Sequence, residues 1–253
     1  MLIIPFFSMS QVKPKLVYND LQKMNMKGKV KQVFEHDSRN MNSEMVETKQ
    51  KNFYQFLSNG KLKRKVNFVT RTIVDYTYDR KGRLLIQKSK SPYNEQILNY
   101  SYPKDSLVIT KTAEGDYISI SKNVIKKNNE TEILKISDTT QYKGSYTYDK
   151  YYRTIKSEGL HYYPSKMDTV KITAVYYKKC LMPIVQSFKS PFFKNILNDR
   201  CDIILHTIIK NDGTISEKSE YSYVYDKKKN WIERKTYVGG KLSHSTIRKI
   251  KYY

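Results

Sequence analysis

The chain reads as an all-β protein. The expectation is an antiparallel meander of many short strands, about 14–18, forming an extended, curved or partly closed sheet joined by tight hairpins. Three observations carry it. Apolar and polar residues alternate with period two in a dozen short segments, the pattern of half-buried strands. β-Branched and aromatic residues fill those segments, with 23 tyrosines among 253 residues. Turn residues cut them at intervals of about 8–12 positions.

Taken in order, the chain opens MLIIPFFSMS. An apolar run from Leu2 to Phe7 precedes Ser8 and Ser10, small residues one position apart. This matches the end of a secretory signal, although the basic leader residues are missing. The competing reading is a short strand that buries Phe6 and Phe7. The signal reading is preferred, which leaves 1–10 as a signal-peptide remnant and 11–253 as a single all-β domain in an export compartment. Residues 18–27 allow a short helical turn capped by Asn19 or Asp20. KVKQVF (29–34) alternates as a strand, and 41–56 fits helix or strand. Asn59-Gly60 between FYQFLS and KLKRKVNF is a hairpin signal.

Further strand segments follow at 72–78, 83–89, 96–102, 107–112, 117–125, 132–137, 170–177, 203–210, 219–225, 231–238 and 245–253. Asn128-Asn129, Asn211-Asp212-Gly213 and Gly239-Gly240 mark turns between them. The stretch 182–200, with Pro183 and Pro191, reads as an irregular excursion.

One motif recurs: DYTYDRKGRL at 75–84, SYTYDKYYR at 145–153 and SYVYDKKKNW at 222–231. Tyrosines at i and i+2 share one face of a strand. Asp79, Asp149 and Asp226 open the turn, because a carboxylate accepts backbone N–H bonds two residues on. Gly82 supplies the positive φ of a bulged hairpin. Tyr152 and Lys229 stand at the equivalent places, where a side chain costs up to about 1 kcal/mol or implies a different loop.

These residues resemble the YD-repeat (RHS-like) family, whose turns carry Tyr-x-Tyr-Asp-x-x-Gly. YDKKKNWIERKTY (225–237) is similar to the YDxxGNWxxR ending of small exported YD-type proteins of Gram-negative bacteria. The opening MKGKVKQVFE and the closing IRKIKYY also look like the ends of such proteins. Two of the three copies lack the glycine. The resemblance implies an all-β scaffold of consecutive hairpins at or outside the cell envelope; it implies no chemistry.

Composition removes several function classes. No run approaches the ~20 apolar residues of a transmembrane helix. The formal net charge is +23, but 38 lysines stand against nine arginines. A phosphate or base reader favours the planar fork of arginine. Most of the charge is therefore read as composition and solubility, and export argues further against nucleic acid. His36, His161, His206 and His244 lack ligand spacing, and no HExxH, CxxC, GxSxG or phosphate loop occurs. His206 is read as a half-buried sheet residue. No metal, cofactor or catalytic set is expected. A Cys180–Cys201 disulfide is plausible in an exported protein, and two buried thiols are an equal alternative.

The functional candidates are then Tyr76, Tyr78, Tyr146, Tyr148, Tyr223, Tyr225 and Trp231. They are read either as inter-strand packing or as a stacking platform for sugar rings. The expected function is a non-catalytic exported or envelope protein that binds a surface glycan or protein through a Tyr-rich face. Binding of polyanions such as nucleic acid or acidic polysaccharide is the alternative, and a hydrolase ranks below both.

Overall fold

The computed structural model describes residues 20–253 apart from 42–43, 105–106, 115–116, 127–128, 137–138, 150–152, 163–166, 177–179, 182 and 188–191. The signal-like segment 1–10, Asn128, Tyr152 and Pro191 lie outside the described residues. A four-residue helix, α1 (Asp20–Lys23), precedes eighteen strands. The first nine are β1 (Val30–Met41), β2 (Glu44–Phe56), β3 (Leu62–Asn67), β4 (Thr72–Tyr78), β5 (Leu84–Lys90), β6 (Glu95–Lys104), β7 (Leu107–Glu114), β8 (Tyr117–Lys126) and β9 (Asn129–Ile136). The second nine are β10 (Thr139–Tyr148), β11 (Thr154–Tyr162), β12 (Met167–Tyr176), β13 (Pro183–Ser187), β14 (Phe192–Leu197), β15 (Ile203–Ile209), β16 (Ile215–Tyr225), β17 (Trp231–Val238) and β18 (Lys241–Tyr252).

Each strand pairs antiparallel with the next, from β1–β2 through β17–β18. The last strand then pairs with the first, from Val30↔Tyr252 to Arg39↔His244. The sheet is therefore a closed barrel, which corrects the expectation of an extended or partly closed sheet. Closure satisfies both edges with backbone hydrogen bonds, so no strand edge is left to template aggregation. Two local expectations also change. Of the ambiguous stretch 41–56, Met41 ends β1 and 44–56 form β2, and the supposed excursion 182–200 holds β13 and β14. Pro183 sits at the first position of its strand, where a missing N–H is tolerated.

The position of α1 tells the two faces of the wall apart. Asp20 Oδ2 accepts from the Leu62 amide at 2.6 Å. Five residues on, Asn25 Nδ2 donates to the Arg200 carbonyl at 2.6 Å and to Asp202 Oδ1 at 2.9 Å. Leu21 and Met26 of this segment pack against Val33, which shares its strand face with the buried Glu35 and Asp37, so the α1 segment lies on the inner side of the wall.

Leu21 and Met26 pack there against Val30, Val33 and Phe56, the main apolar cluster among the described residues. It sits at the α1 end of the wall, at the start of β1 and the end of β2. Strand alternation assigns the rest. Glu35, Asp37, Tyr54, Tyr76, Tyr78, Tyr146, Tyr148, Tyr223, Thr246 and Arg248 share the inner face with Val33.

The outer face interleaves aliphatics with lysines. One rung reads Thr77–Ile86–Asn99–Lys111–Ile120, and another Val185–Lys194–Thr207–Lys218. Among the described residues no helix is long and apolar enough to cross a membrane.

Candidate functional site

The recurrent Tyr–Asp turns build a collar at the α1 end. Asp79 N–H donates to the Arg83 carbonyl and Gly82 N–H to the Asp79 carbonyl, while Asp79 Oδ1 accepts from the Arg83 amide at 2.7 Å. Asp149 with Arg153 and Asp226 with Asn230 repeat that backbone pairing. Asn198 takes the place of aspartate in a copy the sequence did not reveal, closing on Asp202. The αL position is filled by Gly82 (φ 76°), Cys201 (φ 67°) and Lys229 (φ 67°). Lys229 thus keeps the bulged loop and carries its strain. Cys201 is disulfide-bonded to Cys180 with a Cα–Cα distance of 5.3 Å, tying this turn to the segment before β13.

A tyrosine near the end of one strand staples the first residue of the strand before it. Tyr78 donates to the Leu62 carbonyl at 2.8 Å, Tyr102 to Leu84 at 2.8 Å, Tyr176 to Thr154 at 3.1 Å and Tyr223 to Ile203 at 2.7 Å. A turn cation lies over several collar rings: Arg83 4.4 Å from Tyr102, Arg153 4.4 Å from Tyr176 and Arg200 3.9 Å from Tyr225. Tyr225 donates to Asp202 at 2.8 Å and Tyr252 to Asp226. Burial, together with these carboxylates, pushes Tyr225 and Tyr252 up to about 12.

The sequence-predicted tyrosines all lie on the inner face, but they do not meet as one aromatic row. Tyr76 stands opposite Gln87 and Tyr146 opposite Ser157. Tyr146 and Tyr148 donate to Glu132 (3.0 Å) and Glu130 (2.6 Å). Ser121 also donates to Glu132, at 2.7 Å. Burial raises the Glu132 carboxyl, against the lowering by the Ser121 and Tyr146 hydroxyls. Trp231 is 7% exposed and covered by the Arg248 guanidinium, 3.3 Å from its ring centre.

The closure seam is polar and buried. Arg248 pairs with Glu35 at 2.9 Å, and Asn52 donates to the other Glu35 oxygen at 3.0 Å. Thr246 donates to Asp37 at 2.7 Å, and Lys51 pairs with Asp37 at 2.6 Å. Asn230 clamps Lys27 through both backbone groups, accepting at 2.6 Å and donating at 2.9 Å. The Asn230, Trp231 and Arg234 of the terminal motif thus all belong to this seam.

Toward the opposite end, the inner face carries two adjacent rungs. One runs Tyr221–Thr236–His244–Arg39, the next Tyr223–Arg234–Thr246–Asp37. Arg234 stacks 5.8 Å from Tyr221 and 5.4 Å from Trp231, and one Nη lies 3.5 Å from Thr246 Oγ1. Its Nε and the Thr236 hydroxyl are buried without a hydrogen-bond partner. His244 is held below its ordinary value by burial and by Arg234, Lys51 and Arg39, against Asp37. Arg39 is exposed, so water reaches this end. The Arg234 side chain is half-buried beside Tyr221, while its Nε and the Thr236 hydroxyl have essentially no surface for a ligand to touch.

Sequence reasoning missed this site. Arg234 and Thr236 are visibly i, i+2. A simple two-residue hairpin at Gly239-Gly240 would place Ser243 opposite Thr236. A bulge next to the Tyr237–Leu242 pair instead takes up Ser243 and brings His244 opposite Thr236. The other histidines whose side chains are described stand apart. His36 is on the outer face opposite Ile247, and His206 is half-buried and bonded to Asn195 at 2.7 Å. Among the described residues no group of three or more His, Cys, Asp and Glu could hold a metal ion. A shallow depression of about 330 Å³ on β14–β17 is lined by Ile196, Ile204, Leu205, Glu220 and Tyr237, among others.

Among solved structures, the chain is similar to a porin-like protein from Bacteroides uniformis, at 10% identity and a TM-score of 0.46, over 89% of this chain and 99% of that one. It is also similar to part of the Photorhabdus luminescens Tc holotoxin pore, at 12% identity and a TM-score of 0.30, over 73% of this chain and 11% of that one. No family model and no curated protein matches.

Proposed function

We propose that the protein is a non-catalytic, exported β-barrel of the YD-repeat type that binds a glycan on its inner face. The observation that carries this reading is the tyrosine-rich inner wall, where the half-buried Arg234 lies 5.8 Å from the Tyr221 ring on adjacent rungs. A closed wall leaves its tyrosine-rich face to a chain-like or small ligand, which favours a glycan over a surface protein. The Cys180–Cys201 bond and the signal-like start support an oxidising compartment outside the cytoplasm.

The barrel stands in water in this reading. A lipid-facing lysine costs about 2–4 kcal/mol near the bilayer midplane, and Lys88, Lys111, Lys194 and Lys218 all occupy outer rungs. A glycan array probed with the purified protein tests the ligand class. Cell fractionation tests the compartment, and recovery of the protein wholly in the cytoplasm would end the export reading. The lysine-rich outer wall favours polyanion binding as the second reading, which predicts affinity that falls steeply with salt.

A further inference from the structure

We infer that the outer face of β7–β10 docks onto an anionic lipid bilayer and meets it at the level of the headgroups. The inference concerns the outside of the wall and goes beyond the glycan reading, which concerns the inside.

Charge is sorted across this sector of the sheet. The acidic residues of β7–β10 are Glu114, Glu130 and Glu132. Strand alternation sets all three on the inner face. There Glu114 accepts from Asn94 and Gln96, Glu132 from Ser121 and Tyr146, and Glu130 from Asn123 and Tyr148. Lys111, Lys122 and Lys143 stand on the outer face, exposed and without an ion pair among the described residues. Elsewhere on the outer wall cations meet acids: Arg64 pairs with Asp75, Lys88 with Glu95, Lys171 with Glu158, Lys218 with Glu220 and Lys235 with Glu233.

The unpaired lysines alternate with aliphatics. One rung runs Ile109–Lys122–Ile133–Lys143 across all four strands, and Lys111–Ile120 lies beside it. Lys122 thus has Ile109 and Ile133 across the strands and Ile120 and Val124 along its own. Ile120 is 46% exposed. Three spacings of ~4.8 Å put the four strands within roughly 14 Å.

This mixture selects the partner. A polyanionic chain in water would use the lysines and leave the aliphatics wet. A second copy would bring lysine against lysine. An anionic bilayer uses both, because ammonium groups meet headgroup phosphates while isoleucines enter the boundary with the acyl chains. Long lysine stems let the charge stay at the phosphates as the isoleucines reach deeper. The wall lies on the bilayer and does not cross it, since a lysine costs little at headgroup depth and much at the midplane.

The test is co-sedimentation of the full chain with phosphatidylcholine vesicles, with and without phosphatidylglycerol. Binding is expected to the anionic vesicles only, and it should weaken as salt rises. Lys111→Gln/Lys122→Gln/Lys143→Gln should weaken it roughly 100-fold, about fivefold for each lysine near the surface. Lys88→Gln/Lys171→Gln/Lys218→Gln removes the same charge from other sectors and should cost less than about tenfold. Ile120→Ser, which keeps the charge, should weaken binding roughly fivefold.

Equal losses from the two triple variants would make the attraction one of net charge and overturn the site. Tighter binding to heparin than to vesicles, indifferent to Ile120→Ser, would make the partner a polysaccharide and overturn the bilayer assignment. Binding that resists high salt and releases dye from the vesicles would make the barrel span the bilayer and overturn surface docking. Absence of binding to anionic vesicles would overturn the inference and leave the inner-face glycan reading standing.

Discussion

Removing Arg248 should open the barrel's seam. Arg248 joins β18 to Glu35 of β1, and both are nearly out of water, at 9% and 8% exposure. Arg248→Met keeps a long apolar stem over Trp231 but leaves the Glu35 carboxylate with Asn52 and Tyr54 as its donors among the described residues. Stranding one partner of a buried pair costs about 3–5 kcal/mol. In a chain of this size that corresponds to a fall in Tm of roughly 6–20 °C. The double variant Glu35→Gln/Arg248→Met removes the stranded charge and should recover most of the loss, because desolvating two charges offsets much of their attraction. The assay is urea unfolding followed by tryptophan fluorescence, since Trp231 is the only tryptophan and sits against Arg248. A single-variant loss below about 1 kcal/mol, or a double variant no better than the single, would show that the pair is hydrated and does not hold the seam.

Lys229→Gly should stabilise the protein by about 1 kcal/mol, because it relieves an L-residue at φ 67°; an unchanged urea midpoint would count against the strain. Asp37 lies below the ordinary carboxylate range, because Lys51 and Thr246 outweigh the raising effect of burial. Its contribution is therefore complete above the unfolded value, about 4, and lost as pH falls through the lower folded value. The stability gap between wild type and Asp37→Asn should shrink below about pH 4, and a pH-independent gap would contradict this. The stapling tyrosines favour the neutral phenol: burial and the neighbouring Tyr100 push Tyr102 up to about 12, against the pull of Arg83. Stability should thus hold up to about pH 10, the unfolded value, and decline above it. Absorbance titration should show a tyrosine class ionising well above about pH 10, and uniform ionisation at the unfolded value would refute the staples.

The turn chemistry was readable in detail. Asp79 and Asp226 open the expected loop, Asp149 makes the same bonds to Arg153, and Gly82 stands at positive φ. The Asn198 copy escaped because asparagine replaces aspartate and cysteine replaces glycine, so no tyrosine–aspartate string remains. The strands β13 and β14 escaped because a proline stands at or just before the start of each and both are short. The candidate site was the least legible part. Tyr223 and Trp231 were singled out, but Arg234, Thr236 and His244 were not, because their meeting depends on a single bulge that shifts one strand by one residue.

By itself, the sequence determined period, turn type and side: which residues alternate, where each hairpin bends, and which tyrosines share a face. Those are local properties, settled by backbone sterics and by hydrogen bonds that reach a few residues. Closure belonged to the tertiary structure. Alternating strands look the same in an open sheet and in a barrel. Only pairings between the two ends of the chain, Val30 with Tyr252 and Glu35 with Arg248, join the two edges. That closure turns the paired tyrosines inward, where they line an enclosed wall, and sets Lys88, Lys111, Lys194 and Lys218 on its outside.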